Sequence, residues 1–311
     1  MRTSTSSDPV VPASRRRLSA VLNEAGDVVR IDDVVNALKV SRAEAAKLLS
    51  RWVTQAWLRR AARSVYLPAS LTTLESIRVL DDPWILVPPL FDPAYIGGRA
   101  AAEHWDLTEQ IFRDIVVMTA QTVRHKSQRR HGAEFSLTHI RPEKIFGTTS
   151  VWRGRTRVAV ADVHRTILDM LADPELGGGV QHVADCLSVY LKSGNRDDDL
   201  LIRYAVRLGN GAVFKRLGFL AEWDAAGPEL LESCRRRLTA GNTKLDPTLD
   251  CPRLVTRWRL WAPESWAARS LPRRDELSPQ TAQEQGRLGL QRSPRHQSRF
   301  AVTALEVGVS S

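Results

Sequence analysis

Ser41-Arg42-Ala43-Glu44-Ala45-Ala46-Lys47-Leu48-Leu49-Ser50-Arg51-Trp52-Val53-Thr54-Gln55-Ala56, continued by Trp57-Leu58-Arg59-Arg60-Ala61-Ala62-Arg63-Ser64-Val65-Tyr66-Leu67-Pro68, reads as a helix followed at once by a hairpin. Ser41 followed three residues later by Glu44 is a capping box, in which each side chain satisfies a free backbone N–H at the start of a helix. At 100° per residue, Ala45, Leu48, Leu49, Trp52, Val53 and Ala56 share one apolar stripe. Ala43, Lys47, Ser50, Arg51 and Thr54 share the opposite face, with Arg42 in the first turn. That face is small, polar and basic, which suits the major groove of duplex DNA, where long donors reach base edges and small residues permit close approach. Trp57–Arg60 and Ser64–Leu67 are expected strands, and Arg59, Arg60 and Arg63 lie on or near their connecting tip. A basic hairpin after such a helix is a wing, placed for the DNA backbone or minor groove.

Two further helices precede this pair. Arg15–Ala25 places Leu18, Val21 and Leu22 at i, i+3 and i+4, and Gly26 ends it. Val28–Ile31 is a short extended piece. Asp32 is the expected cap of a second helix, Asp33–Lys39, which buries Val34, Val35 and Leu38. The turn at Lys39-Val40 then joins two helices in helix-turn-helix fashion. Residues 15–68 therefore read as a winged helix-turn-helix that contacts duplex DNA through Arg42, Lys47, Ser50, Arg51, Thr54, Arg59, Arg60 and Arg63.

The charge agrees with that placement. The chain has 311 residues and a formal net charge of +10. Residues 15–68 hold eleven Lys and Arg against five acids, and residues 269–311 hold seven Arg against four acids, so the long middle is nearly neutral. Concentrated basic charge is what phosphate neutralisation requires. Hydrophobic residues at 43% and charged residues at 26% give a globular balance. No stretch approaches the ~20 apolar residues of a membrane span, and no membrane partner is expected. Met1–Pro12 has no apolar core of a signal peptide. Cys186, Cys234 and Cys251 are three cysteines without Cys-x-x-Cys spacing, which fits a reducing cytoplasm.

The middle reads as strands and then helices. Leu71–Asp82 is an expected linker helix and Trp84–Val87 a short strand ended by Pro88-Pro89. Tyr95-Ile96-Gly97-Gly98 leads into a helix, Arg99–Trp105. Asp114–Thr119 and Ala133–Ile140 are strands, and Val151–Val160 is a hairpin about Gly154. Asp162 caps a helix through Leu171, and Val180–Ala240 is helical. This order predicts an α+β domain. Residues 1–14 are expected to be a disordered N-terminus, 69–83 a linker, 84–268 the α+β domain, and 269–311 a disordered basic tail.

Several motifs in order resemble the AbiEi antitoxins of type IV toxin–antitoxin systems. They are Tyr95-Ile96-Gly97-Gly98 with Glu103-His104-Trp105-Asp106-Leu107, then Asp162-Val163-His164-Arg165-Thr166-Ile167-Leu168-Asp169-Met170-Leu171, then Pro174-Glu175-Leu176-Gly177-Gly178. Lys244-Leu245-Asp246-Pro247 and Arg257-Trp258-Arg259-Leu260-Trp261 complete the set, and the resemblance covers roughly residues 15–268. It implies an N-terminal winged helix joined to an antitoxin domain. It also implies repression of the chain's own promoter and neutralisation of a nucleotidyltransferase toxin. Ser64 and Asp106 depart from the family, which often carries glycine at both positions.

There is no Gly-x-Ser-x-Gly, no His-Glu-x-x-His and no Gly-x-x-x-x-Gly-Lys. Gly177-Gly178-Gly179 follows a helix and reads as its stop rather than as a phosphate cradle. His125, His131 and His139 flank a basic loop and lack ligand spacing. Trp105 and Trp152 read as core aromatics, and His164-Arg165 as part of an internal ion pair with Asp162 or Asp169. No enzyme, cofactor or metal is expected. The alternatives are a plain repressor with an effector-binding domain and an enzyme that modifies the toxin.

Overall fold

Trp52 organises the helices and strands of residues 13–58. In this computed structural model, which describes residues 12–69, 82–224 and 226–269, it is fully buried on α3 (Arg42–Thr54) with Ala45, Leu48 and Leu49. Its indole N–H donates to Ser14 Oγ at 3.3 Å. That contact lies in the first turn of α1 (Ala13–Ala25), so α1 starts two residues before Arg15 and takes in two residues expected to be disordered. α2 (Ile31–Leu38) also starts early: Asp33, not Asp32, accepts the Arg30 N–H at 2.6 Å. Ser41 caps α3, accepting the Glu44 N–H at 3.2 Å, but the reciprocal bond from the Ser41 N–H to the Glu44 carboxylate is not formed, so only the serine half of the expected box is present; α3 ends two residues before Ala56. β1 (Val29–Arg30), β2 (Leu58–Ala62) and β3 (Val65–Pro68) form an antiparallel sheet in the order β1-β3-β2.

This small sheet is apolar on both faces. Val29 and Leu58 join Leu18, Val21, Val34 and the α3 stripe in one core, with Tyr66 packed on it. Val28, Val65 and Leu67 point the other way into a larger core with Phe91, Tyr95, Val116 and Phe135. Strand alternation sends neighbouring side chains to opposite faces, so one four-residue strand serves two cores.

A mixed six-stranded sheet builds the middle of the chain, β6-β7-β5-β4-β9-β8. Its strands are β4 (Ala94–Ile96), β5 (Asp114–Thr119), β6 (Ser127–Arg130), β7 (Ala133–His139), β8 (Thr148–Arg153) and β9 (Thr156–Ala161). β4–β9 and β5–β7 are parallel; β4–β5, β6–β7 and β8–β9 are antiparallel. Trp84–Val87 is not a strand. Pro83–Leu86 is a 3-10 turn that runs into α4 (Val87–Phe91). Pro88-Pro89 fall in the first turn, where a missing N–H costs no helix bond. The expected Leu71–Asp82 helix lies outside the described residues except for Asp82.

Helices follow: α5 (Gly98–His104) between β4 and β5, then α6 (Val163–Ala172), α7 (Val180–Lys192), α8 (Asp198–Leu208), α9 (Gly211–Trp223) and α10 (Pro228–Arg235). α6 is central, packing on α5, α7, α8 and α9. A small sheet, β10-β12-β11, from β10 (Thr243–Lys244), β11 (Arg253–Val255) and β12 (Leu260–Ala262), had no clear signal in the sequence. The chain is thus mixed α+β. A second unit begins at Ser265, and its described residues are helical. The tail from Ser270 lies outside the described residues. No described helix is long and apolar enough to cross a membrane.

Candidate nucleic-acid interface

Burial of the α3 stripe leaves Lys47, Ser50, Arg51 and Thr54 exposed together on the solvent side of that helix. Neither Lys47 nor Arg51 has a carboxylate within ion-pair distance among the described residues, so both charges are available to a ligand. The Thr54 hydroxyl donates to the Ser50 carbonyl at 3.1 Å and keeps only its acceptor capacity free.

The other expected contacts are placed differently. Arg42 is ion-paired with Asp32, both side chains being exposed. Arg59 is half-buried, and Arg60 Nε donates to the Ala62 carbonyl at 3.2 Å across a bulge in β2. Arg63 is exposed at the β2–β3 turn, but Ala61 and Ala62 pack on the larger core and His131 Nε2 lies 3.1 Å from the Ala61 carbonyl oxygen. The hairpin is therefore a wall shared with the middle of the chain. Arg63 and Arg42 line an open cavity there and do not join Lys47 and Arg51 on one surface.

A second bridge fixes the same relation. At the β8–β9 turn, Arg155 donates through Nη1 to the Leu22 carbonyl at 2.9 Å and through Nη2 to the Asn23 carbonyl, satisfying free carbonyls near the end of α1. The Asp27 carboxylate accepts the Arg155 N–H at 2.6 Å and the Thr156 hydroxyl at 3.1 Å. Gly154 has φ 58°, and a Cβ there would come within 2.7 Å of Asp27 Oδ2, so a side chain would strain the turn and push the Asp27 carboxylate from its place.

The family-like motifs converge on a buried network rather than on an open site. Arg165 is 1% exposed and donates through Nε to Asp169 Oδ1 at 2.8 Å and through Nη2 to Tyr95 Oη at 2.7 Å. Tyr95 donates in turn to Asp169 Oδ2 at 3.0 Å. Of the two acids considered for Arg165, Asp169 takes the side chain. Asp162 caps α6, accepting the Arg165 N–H at 2.8 Å. Burial pushes the Tyr95 hydroxyl well above its ordinary value, and the Asp169 charge adds to this. Gly98, at φ 54°, brings its backbone so close to the Leu176 carbonyl oxygen that a Cβ would lie 2.6 Å from it, and Arg99 donates to the Glu175 carbonyl at 2.9 Å. Arg99 also pairs with Asp114. Burial alone would raise the Asp114 carboxyl, but hydrogen bonds from Ser136 and Arg99 and the Arg99 charge bring it below the ordinary value.

Two expectations need correction at this level. Gly177-Gly178-Gly179 both follows α6 and precedes α7, because the α7 residues are helical from Val180. The Val180 N–H is already taken by Asp246 Oδ2 at 3.0 Å, a carboxylate occupying the place an anion would need. Trp152 is 67% exposed, since β8 is an edge strand and this side chain points outward; Trp105 is half-buried, its indole N–H on the Ala161 carbonyl at 2.7 Å. His125 and His139 are exposed, and no group of three or more His, Cys, Asp or Glu among the described residues is arranged to hold a metal. The buried network and the two-faced hairpin were missed from sequence; the Tyr-Ile-Gly-Gly and His-Arg-Thr motifs were the only signals for the former.

No family model and no curated protein matches the chain. Among solved structures, the chain is similar in fold to the RV2827C protein from Mycobacterium tuberculosis, with a TM-score of 0.56 and 13% identity over 81% of this chain and 92% of that one.

Proposed function

We propose that residues 12–69 form a winged helix-turn-helix that binds duplex DNA at the chain's own promoter, with α3 in the major groove. The observation that carries this reading is the solvent face of α3, where Lys47, Ser50, Arg51 and Thr54 stand exposed and the two cations have no acidic partner among the described residues. Ser41 and Trp52 support it by fixing the start and the roll of the helix. The reading includes an antitoxin role for the remainder of the described chain, countering a nucleotidyltransferase toxin. Its support is the motif resemblance, strengthened by the way Tyr95, Gly98, Arg165, Asp169 and Leu176 meet in one place.

The DNA test is fluorescence anisotropy with the duplex upstream of the chain's own reading frame and with random duplex, over a range of salt. Tighter binding to the upstream duplex and a steep salt dependence are expected, about 0.9 log units of affinity per log unit of salt for each phosphate neutralised. Equal, salt-insensitive binding to both duplexes would sink the DNA reading. Co-expression with a neighbouring nucleotidyltransferase tests the antitoxin role, growth rescue being the expected result.

A further inference from the structure

The cavity noted above has a volume of about 330 Å³ and opens where β1, the first turn of α3, the β2–β3 turn and the α4–β4 connection meet. Such a volume lies at the lower end of small-molecule sites, which start near ~300 Å³. Three arginines are among the residues that line it: Arg30, Arg42 and Arg63. Arg42 is held by Asp32. Arg30 and Arg63 have no carboxylate within 4 Å among the described residues. Arg30 lies opposite Val65 in the β1–β3 register, two residues from Arg63, and the left-handed Ser64 between them (φ 62°) turns the chain tightly there. The facing wall is already fixed. Gln121 Nε2 donates to the Asp92 carbonyl at 2.7 Å, and the Thr119 hydroxyl donates to the Phe91 carbonyl at 2.6 Å. Gln121 and Asp92 both line the cavity.

We propose that this cavity is a binding site for a phosphate ester, with Arg30 and Arg63 holding the phosphoryl group and Asp92 and Asp32 facing the body of the ligand. Planar guanidinium forks match phosphate oxygens two at a time; the Arg30 charge acts on the nearby Asp92 carboxylate without a direct ion pair, and Arg63 has no carboxylate within 4 Å among the described residues, so both forks remain open to a ligand. The two carboxylates repel a bare anion, so they favour a phosphate attached to a body that brings hydroxyl or amino donors, as a nucleotide or sugar phosphate does. The site joins the first turn of the proposed DNA-reading helix to the α+β part of the chain, so occupancy would bear on both. The inference of a phosphate ester stands on the cavity itself; of the two possible sources, a free ester or a DNA backbone, only the second rests on the DNA-binding reading.

The test is calorimetry on the full chain with adenosine 5′-monophosphate, adenosine and inorganic phosphate as probes. Saturable binding of the monophosphate, at least tenfold tighter than adenosine and inorganic phosphate, is expected. Arg30→Ala and Arg63→Ala should each weaken it tenfold or more, with melting unchanged. Arg63→Lys should restore part of the loss. Displacement of the monophosphate by random duplex, with the same variants losing duplex affinity, assigns the phosphoryl group to the DNA backbone; absence of displacement assigns it to a free ester. Lys47→Ala lies outside the cavity and serves as the control. If it lowers duplex affinity while the monophosphate isotherm is untouched, both readings stand. If no duplex binds at all, the DNA reading fails while the isotherm still decides the cavity. No saturable binding of any phosphate, or binding indifferent to loss of both arginines, overturns the proposal.

Discussion

Lys47 and Arg51 stand one helical turn apart on a face with no ion-paired carboxylate among the described residues, and single substitutions there separate contact from stability. Arg51→Ala should cost about 1–3 kcal/mol of upstream-duplex affinity if it meets a base edge, and relax preference at one base pair. Trp52→Ala instead removes a fully buried indole and should destabilise the chain by about 3–5 kcal/mol. Melting measured beside anisotropy distinguishes the two, and Lys47 and Arg51 variants that bind like the unmodified chain would remove α3 from the groove. Ser64 and Asp106 carry a different residue-scale lesson. Both have left-handed backbones, φ 62° and φ 54°. Asp106 follows α5, whose end is closed by the Leu107 N–H on the Ala102 carbonyl at 3.0 Å, a position where glycine is usual. Side chains there cost about 1 kcal/mol. Ser64→Gly and Asp106→Gly should therefore each raise the melting temperature, and a fall in either would show that the side chain contributes more than the backbone strain.

At the scale of elements, α6 is the piece most dependent on its neighbours. Arg165 Nη1 is buried without a hydrogen-bond partner, so its charge depends on Asp169 and Tyr95. Removing one partner of a buried ion pair leaves an uncompensated charge and costs about 3–5 kcal/mol. Asp169→Ala should lower stability by that order in denaturant titration, whereas Tyr95→Phe, which keeps the carboxylate, should cost less. Equal losses would mean that packing on Tyr95, not the charge, dominates. The β2–β3 hairpin shows the opposite economy. Its strand β3 is short, yet Val65 and Leu67 feed one core and Tyr66 the other. A freely moving wing would need Val65 and Leu67 to face water, at about 1.5–3 kcal/mol each.

That figure decides how the whole molecule should be tested. Val28, Val65 and Leu67 all enter the larger core, so a chain starting at residue 82 forgoes several kcal/mol against a typical total of about 5–15 kcal/mol. Such a fragment should melt earlier and bind a hydrophobic dye. A fragment as stable as the full chain would show that the two cores are independent. The proposed antitoxin role is better examined in the full chain with Lys47→Ala and Arg51→Ala, which should disable the proposed DNA face without opening the core. Acid offers a second whole-molecule probe. The Asp114 carboxyl titrates below its ordinary value in the folded chain, so the stability it contributes is complete above its unfolded value of about 3.9 and is lost as pH falls through the lower folded value. Melting temperature should drop below about pH 4, and Asp114→Asn should flatten that part of the profile.

The sequence by itself determined what depends on neighbours a few residues away. The Ser41 cap, the apolar stripe of α3, the exposed quartet Lys47, Ser50, Arg51 and Thr54, the strand at Asp114–Thr119 and the capped helix after Asp162 all follow from local periodicity and capping, because helix and strand geometry repeat every few residues. The partner of Arg165, the strand order of the large sheet and the double duty of β3 were decided only by tertiary structure. Each joins residues far apart in the chain, such as Tyr95 and Arg165, or Val65 and Phe91, whose meeting no local pattern specifies. Arg63 shows the limit most sharply. Its sequence position on a basic turn is that of a wing contact, yet the buried side chains flanking it turn the hairpin against the larger core and bring Arg63 to the cavity beside Arg30. Burial of apolar area set that direction, and burial is a property of the whole chain.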